Sequence, residues 1–277
     1  TMNFIPYDWV AIGYLAFTGV LILIFRKNVT RWHFYLLARV LCIIGIVSLT
    51  FTNEDTPLIL QFLRDWYPLS TIALFYFEIE KLTQMVFQRY FDETVIYWEK
   101  RVFKGMPCLE LSDRFPSMIL SEILHLCYFS YYVMAVFLVA WLYFSGRIGP
   151  FQETVFAETL AFNLSLLCYP FLPTTGPRYL FEKIQGKLSK GFFFRLAHLA
   201  VSRGSSKGTA FPSSHVSLSV TVLLCALRYD STAFLMLLPM CVGLTLGTVY
   251  GRFHYVIDAI AGAILAGIVF GITTMLF

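Results

Sequence analysis

Long apolar runs alternate with short polar stretches along this chain, and the apolar runs have the length of bilayer-crossing helices. A bilayer core takes roughly 20 apolar residues per helix. On that measure spans are expected at residues 7–25, 33–51, 67–87, 117–144, 154–172, 214–227, 232–250 and 255–276. Glu78, Glu80 and Lys81 interrupt the third. Residues 91–116 mix aromatic and charged side chains in the manner of a segment lying on a membrane surface. The run KIQGKLSKGFFFRLAHLA reads as a second, basic amphipathic element. The expected fold is all-α: a polytopic membrane helical bundle of about eight spans (six to eight) with interfacial amphipathic segments. Without repeats or linkers, one membrane domain over 1–277 is the economical organisation. It divides into N-terminal spans in 1–90, the interfacial segment in 91–116 and a helical core that carries the chemistry in 117–277.

Composition agrees with that pattern. The 277 residues are 58% hydrophobic and 14% charged, against about 25% charged in soluble domains. The six cysteines are scattered, mostly within apolar runs and without metal-ligand spacing, so neither a disulfide framework nor a metal site is expected. The first apolar run lacks a basic leader and a small-residue cleavage site, and is expected to be a retained span.

Charge separates the two faces. With eight spans both termini share one face, and the opposite face carries 16 of the 21 lysines and arginines. The positive-inside rule places that basic face in the cytoplasm. The same charges would also attract an anionic lipid or substrate. Interleaved membrane spans argue against nucleic acid as the partner.

Three short motifs fall on the basic face at the ends of different spans: PTTGPR (Pro173 to Arg178), PSSH (Pro212 to His215) and GRFHYVID (Gly251 to Asp258). Two crossings separate the second from the third, so His215 and His254 return to one level. Each motif supplies something that phosphate chemistry needs. Arg178 offers a planar fork of donors matched to phosphate oxygens. Ser213 and Ser214 lie where a helix N-terminus presents unpaired amides. His254 and Asp258, four residues apart, stack on one helical face. The carboxylate can hold one ring nitrogen as N–H and leave the other free to attack, while His215 protonates the leaving oxygen.

These motifs resemble the type 2 phosphatidic acid phosphatase superfamily, which also takes in vanadium haloperoxidases and head-group transferases of the inositol phosphorylceramide synthase type. The resemblance is strong over residues 173–265. FDETVIYWEKRVFKGMP and SEILHLCYFSYY resemble the inositolphosphotransferase-related branch and extend it upstream to Phe91. It implies a phosphohistidine mechanism without metal or cofactor, with His254 as nucleophile, Asp258 its partner, His215 the general acid and Arg178 the phosphate-binding arginine. The chain departs from the family pattern at four positions. Phe171 stands for the lysine, Thr248 for the second arginine, Tyr179 for the proline after Arg178 and Ser214 for the glycine before His215. Two cations are missing, which favours a phosphodiester over a dianionic monoester. Arg252, Arg203 or Lys207 could fill the gap.

Further candidates are Glu122 and His125, which could bind a head group, activate an acceptor hydroxyl or simply bond a neighbouring helix. Thr175 sits in a turn that could line the pocket. Arg39 and Asn163 read as polar contacts between helices. The expected activity is an integral membrane lipid phosphatase, since water is the acceptor that needs no extra pocket. The alternatives are transfer of a phospho-head-group from a phospholipid to an alcohol, and a non-catalytic lipid-binding protein.

Overall fold

A computed structural model describes residues 2–277. Its helices are α1 (Pro6–Ile24), α2 (Trp32–Leu49), α3 (Leu58–Ile79), α4 (Asp92–Phe103), α5 (Pro107–Arg114), α6 (Met118–Phe129), α7 (Tyr131–Phe144), α8 (Ile148–Cys168), α9 (Pro177–Leu180), α10 (Phe192–Gly204), α11 (Ser214–Tyr229), α12 (Ser231–Tyr250) and α13 (Val256–Leu276). No strand occurs among the described residues; the one β-type contact is an isolated bridge between Thr174 and Thr209.

Each expected span falls on a helix or a helix pair. Four helices (α1, α2, α12 and α13) are individually long and apolar enough to cross a membrane, and the bent pair α6–α7 makes a fifth. Helices α3 and α8 carry charged side chains, and α11 has only 16 residues. The third helix differs most from expectation: it starts at Leu58, keeps Pro68 in its interior and ends at Ile79. Beyond that point the amides of Leu82 and Thr83 return to the Ile79 carbonyl and turn the chain. The expected span at 117–144 is broken at Ser130, where α6 and α7 meet at 49°. Ser130 Oγ donates to the Cys127 carbonyl there, a back-bond that bends helices.

Helix α8 is central, packing against α1, α3, α7, α11 and α13. The fully buried charges Asp8, Arg39 and Arg64 of the N-terminal helices are paired, as burial in hydrocarbon requires. Arg64 grips the Asp8 carboxylate with both terminal nitrogens, and Tyr67 donates to the same group. Arg39 meets Glu78 and donates to Thr18 Oγ1 at 3.0 Å, so the charge that interrupts α3 ties it to α2 and α1. Asn163, by contrast, is buried with both amide atoms unpartnered. Helix α10 buries Phe194, Ala197 and Val201, a 3–4 spacing, against α6, while Phe192 faces outward.

Candidate active site

The three motifs hold one another in place. The PTTGPR loop follows α8 and runs beside the segment that precedes α11: Ala210 N donates to the Thr174 carbonyl at 2.9 Å. Gly176 has φ +86° and ψ 167°, a region essentially reserved for glycine. A Cβ at Gly176 would lie 3.1 Å from the Phe253 carbonyl and 3.2 Å from Ala210 Cβ, so this one residue touches both other motifs. Ser213 N donates to the Asp258 carbonyl at 3.0 Å. A Cβ on Gly262 would sit 2.5 Å from the Ser213 carbonyl, so α13 approaches the start of α11 along a bare backbone.

That contact network aims His254. The residue lies in the turn between α12 and α13, where its amide and that of Phe253 both donate to the Thr248 carbonyl. Its Nδ1 is 3.1 Å from the Ala210 carbonyl oxygen and 3.3 Å from Asp258 Oδ2. A carbonyl can only accept, so Nδ1 carries the proton and Nε2 keeps its lone pair. Asp258 Oδ2 also accepts from Tyr255 N at 3.0 Å, which fixes the carboxylate at the first turn of α13. Burial pushes the His254 pKa down to about 3, the Arg178 charge adds to the fall, and the Ala210 hydrogen bond opposes it. The imidazole is therefore neutral at physiological pH.

His215 opens α11, with its ring centroid 5.8 Å from that of His254. It stacks on Tyr128, whose hydroxyl lies 3.3 Å from His215 Nε2, and its Nδ1 is buried without a partner. Ser213 caps α11, its Oγ accepting from Val216 N at 3.4 Å. Ser214 is the first helical residue, so its amide belongs to the unpaired first turn. Arg178 has a buried Nε without a partner, and its guanidinium carbon stands 4.9 Å over the Tyr179 ring. Among the described residues no three His, Cys, Asp or Glu side chains gather so as to hold a metal ion.

Other candidates have different tasks. Arg252 turns its guanidinium to the Glu182 and Leu109 carbonyls, Ser112 and Asp113, so its charge is spent on tying the α12–α13 turn to α5. Of the three cations that could replace the missing pair, Lys207 shares an aromatic ring with Arg178: its ammonium lies 5.9 Å from Tyr179 and 4.9 Å from Tyr90. The Glu122 carboxylate accepts from Phe193 N and Phe194 N, both at 3.0 Å, and so holds the N-terminus of α10. His125 bonds to Ser121 through Nδ1 and lies among Phe194, His198 and Phe253, in an aromatic wall behind the site. Thr175 binds Asp92 with both its amide and its hydroxyl.

Asp92 and Glu99 went unrecognised in the sequence. Asp92 opens α4 and accepts from Thr175 N, Thr175 Oγ1 and Gly176 N at 2.9–3.1 Å. Glu99, on the same helix face, accepts from Val256 N at 3.1 Å and Ile257 N at 3.0 Å, the first amides of α13. One interfacial helix thus clamps two motifs with two buried carboxylates. Their seven-residue spacing on an amphipathic helix was the available signal. Glu158 carries no local signal in the sequence; it is fully buried in α8 with both oxygens unpartnered.

Two cavities flank the site. One, of about 560 Å³, is lined by Arg178, Lys183, His198, Ser202 and Arg252 on the basic face. The other, of about 340 Å³, reaches from His215 and Ser214 down to Glu158 between the spans. Helix α10 contributes Val201 to both.

No curated protein and no solved structure matches this chain. The family model of the PAP2 superfamily matches residues 113–272, more than half of the sequence, and takes in all three motifs. With its apolar helices, that match makes the protein an integral membrane protein of the phosphatase or phosphotransferase type. Motif order, helical architecture and family match agree: the chain belongs to the PAP2 superfamily, that of type 2 phosphatidic acid phosphatase.

Proposed function

We propose that the protein cleaves a lipid phosphoester through a phosphohistidine on His254, as a membrane lipid phosphatase. The observation that carries this reading is the fixed tautomer of His254: the Ala210 carbonyl and Asp258 hold Nδ1–H, leaving a neutral Nε2 as nucleophile. Nε2 attacks phosphorus, and the bond to the lipid oxygen breaks. His215 gives that oxygen its proton. Arg178 and the first amides of α11 take up the charge on the phosphoryl oxygens. Water, deprotonated by His215, then attacks the phosphohistidine and releases phosphate from a regenerated imidazole.

A second reading, transfer of a phospho-head-group to a lipid alcohol, is supported by two features. The cavity beside His215 lies between membrane spans and gives an alcohol acceptor a place next to the general acid and base. The missing cations at Phe171 and Thr248 favour the singly charged phosphodiester that this reaction would use.

The test is inorganic phosphate release by detergent-solubilised protein from phosphatidic acid, phosphatidylglycerol phosphate and polyprenyl diphosphate. Release that disappears in His254→Ala supports the phosphatase. If none of the three yields phosphate, formation of a new phosphodiester from intact phospholipid and alcohol decides for transfer. A wild-type rate retained by His254→Ala would remove the phosphohistidine from either scheme.

A further inference from the structure

The two histidines of the site are held by partners of different kinds. His254 Nδ1 meets the Ala210 carbonyl, which can only accept, so its proton is fixed. His215 Nε2 meets the Tyr128 hydroxyl at 3.3 Å, and a hydroxyl both donates and accepts. A nucleophile needs one nitrogen permanently bare, whereas an acid and base must be held in more than one protonation state. The scheme above uses no group on α6 or α7, yet both helices reach the His215 ring. Tyr128 lies in the last turn of α6 and Tyr131 opens α7, and their ring centroids stand 5.1 Å and 4.4 Å from that of His215. The break at Ser130 lies between them.

Tyr128 is itself held in place. Its ring also stacks on Phe253, the neighbour of His254, with centroids 4.3 Å apart. Helix α6 lies here against a bare stretch of α12: a Cβ on Gly247 would come 2.5 Å from the Leu124 carbonyl oxygen and 3.5 Å from Tyr128 Cβ. Tyr128 is buried, and the one hydrogen bond of its hydroxyl among the described residues is to His215 Nε2. A buried hydroxyl proton needs an acceptor. When His215 is neutral, the arrangement that supplies one has Tyr128 donating to a bare Nε2, which puts the ring proton on Nδ1. His215 Nδ1 is buried and has no partner. It is therefore the nitrogen left for a reacting oxygen.

We propose that Tyr128 is the positioning residue of the general acid: its hydroxyl orients the His215 ring through Nε2 and commits Nδ1 to the oxygen that leaves or attacks. The hydroxyl serves Nε2 in every state of the ring. In the charged ring it accepts from Nε2–H while Nδ1–H faces the lipid oxygen. As the bond between phosphorus and that oxygen breaks, the oxygen takes the Nδ1 proton, and the neutral ring keeps Nε2–H on Tyr128. Attacking water then returns a proton to Nδ1 as its oxygen bonds phosphorus and the phosphohistidine bond breaks, which restores the charged ring. In the substrate-free neutral ring the hydroxyl turns and donates, so that Nδ1–H is already formed when substrate arrives.

This inference rests on the phosphohistidine reading for the task of His215, but the ring can be read without turnover. The full chain, isotope-labelled at its histidine nitrogens and held in detergent micelles, is followed by NMR through a pH series. The His215 signals are those lost in His215→Gln. Where the ring is neutral, Nδ1 is expected to be protonated and Nε2 bare. Tyr128→Phe keeps the ring stacking and removes the hydroxyl, so the Nε2 signal should move toward its protonated position. In the phosphate-release or transfer assay, Tyr128→Phe is expected to lower kcat roughly tenfold to a hundredfold, as for a hydrogen bond to a charged group, with KM little changed. In a His215→Gln background the same substitution should cost about twofold or less, because its partner is already gone. A neutral ring with its proton on Nε2, His215 signals that do not respond to Tyr128→Phe, or an equal loss of kcat in both backgrounds overturns the proposal. Full activity of His254→Ala would instead overturn the phosphohistidine reading, and the tautomer of His215 would stand on its own result.

Discussion

Burial holds His254 uncharged, and the consequence is a pH profile. Because its pKa lies near 3 rather than at the ordinary value of 6.5, the free base persists as pH falls, and protonation removes the proposed nucleophile only in strong acid. The acid limb of kcat/KM for a phosphodiester substrate is therefore expected well below pH 6.5. Arg178→Gln takes away a neighbouring positive charge, so the same limb should move upward, even as KM rises. A pH–rate series on both proteins checks the sign. His215→Gln removes the proposed proton donor and is expected to slow turnover by about 10²–10⁴-fold with little change in KM. Gly176→Ala places a side chain where φ is +86°, at a cost of about 1–3 kcal/mol. It also pushes on the Phe253 carbonyl and Ala210. Thermal unfolding and turnover measured together should both fall.

Helix α4 acts as a brace. Asp92 satisfies the amides of the PTTGPR turn, and Glu99 satisfies the first amides of α13, which carries Asp258. Burial raises the Glu99 pKa while the two amides pull it down. Asp92→Ala and Glu99→Ala leave buried donors unpaired, and each is expected to cost about 1–3 kcal/mol of stability. They should also lower kcat, although neither residue is placed in contact with substrate. Differential scanning calorimetry in detergent reads the first effect and the phosphate-release assay the second. This brace was half visible in the sequence. The amphipathic character of residues 91–116 was plain, but what a carboxylate on that helix touches lies 83 residues away at Thr175 and 157 away at Val256. Nothing local distinguishes those two acids from the exposed Glu93 beside them.

In the whole molecule, the alternation of helices puts the C-terminal end of α8, the start of α11 and the turn before α13 at one end of the bundle, together with most of the positive charge. On the positive-inside rule we propose that this end is cytoplasmic. An exposed cysteine at Lys190 should then react with an impermeant maleimide only after the membrane is opened, and one at Ser145 in intact cells. The reverse labelling would mean that the basic face serves the anionic substrate rather than topology. The N-terminal spans contribute no motif to the site. Buried ion pairs tie α1, α2 and α3 to one another, α1 and α3 pack on α8, and α3 forms one wall of the cavity that leads to His215.

The class of molecule and the three motifs that meet at the candidate site were legible in the linear pattern, because apolar run length answers to bilayer thickness and because the motif residues are local in sequence. The spacing of His254 and Asp258 is a property of one helical turn, and the even number of crossings between His215 and His254 needs only counting. What a side chain spends its hydrogen bonds on is not local. Arg252, Glu122 and Thr175 looked available in the sequence, yet packing commits them to Asp113, the start of α10 and Asp92. Glu158 looked like one acid in an apolar helix, and packing leaves it without a partner in a cavity. Helix existence follows from periodicity over a few turns, whereas the fate of a buried polar atom depends on which distant backbone arrives beside it.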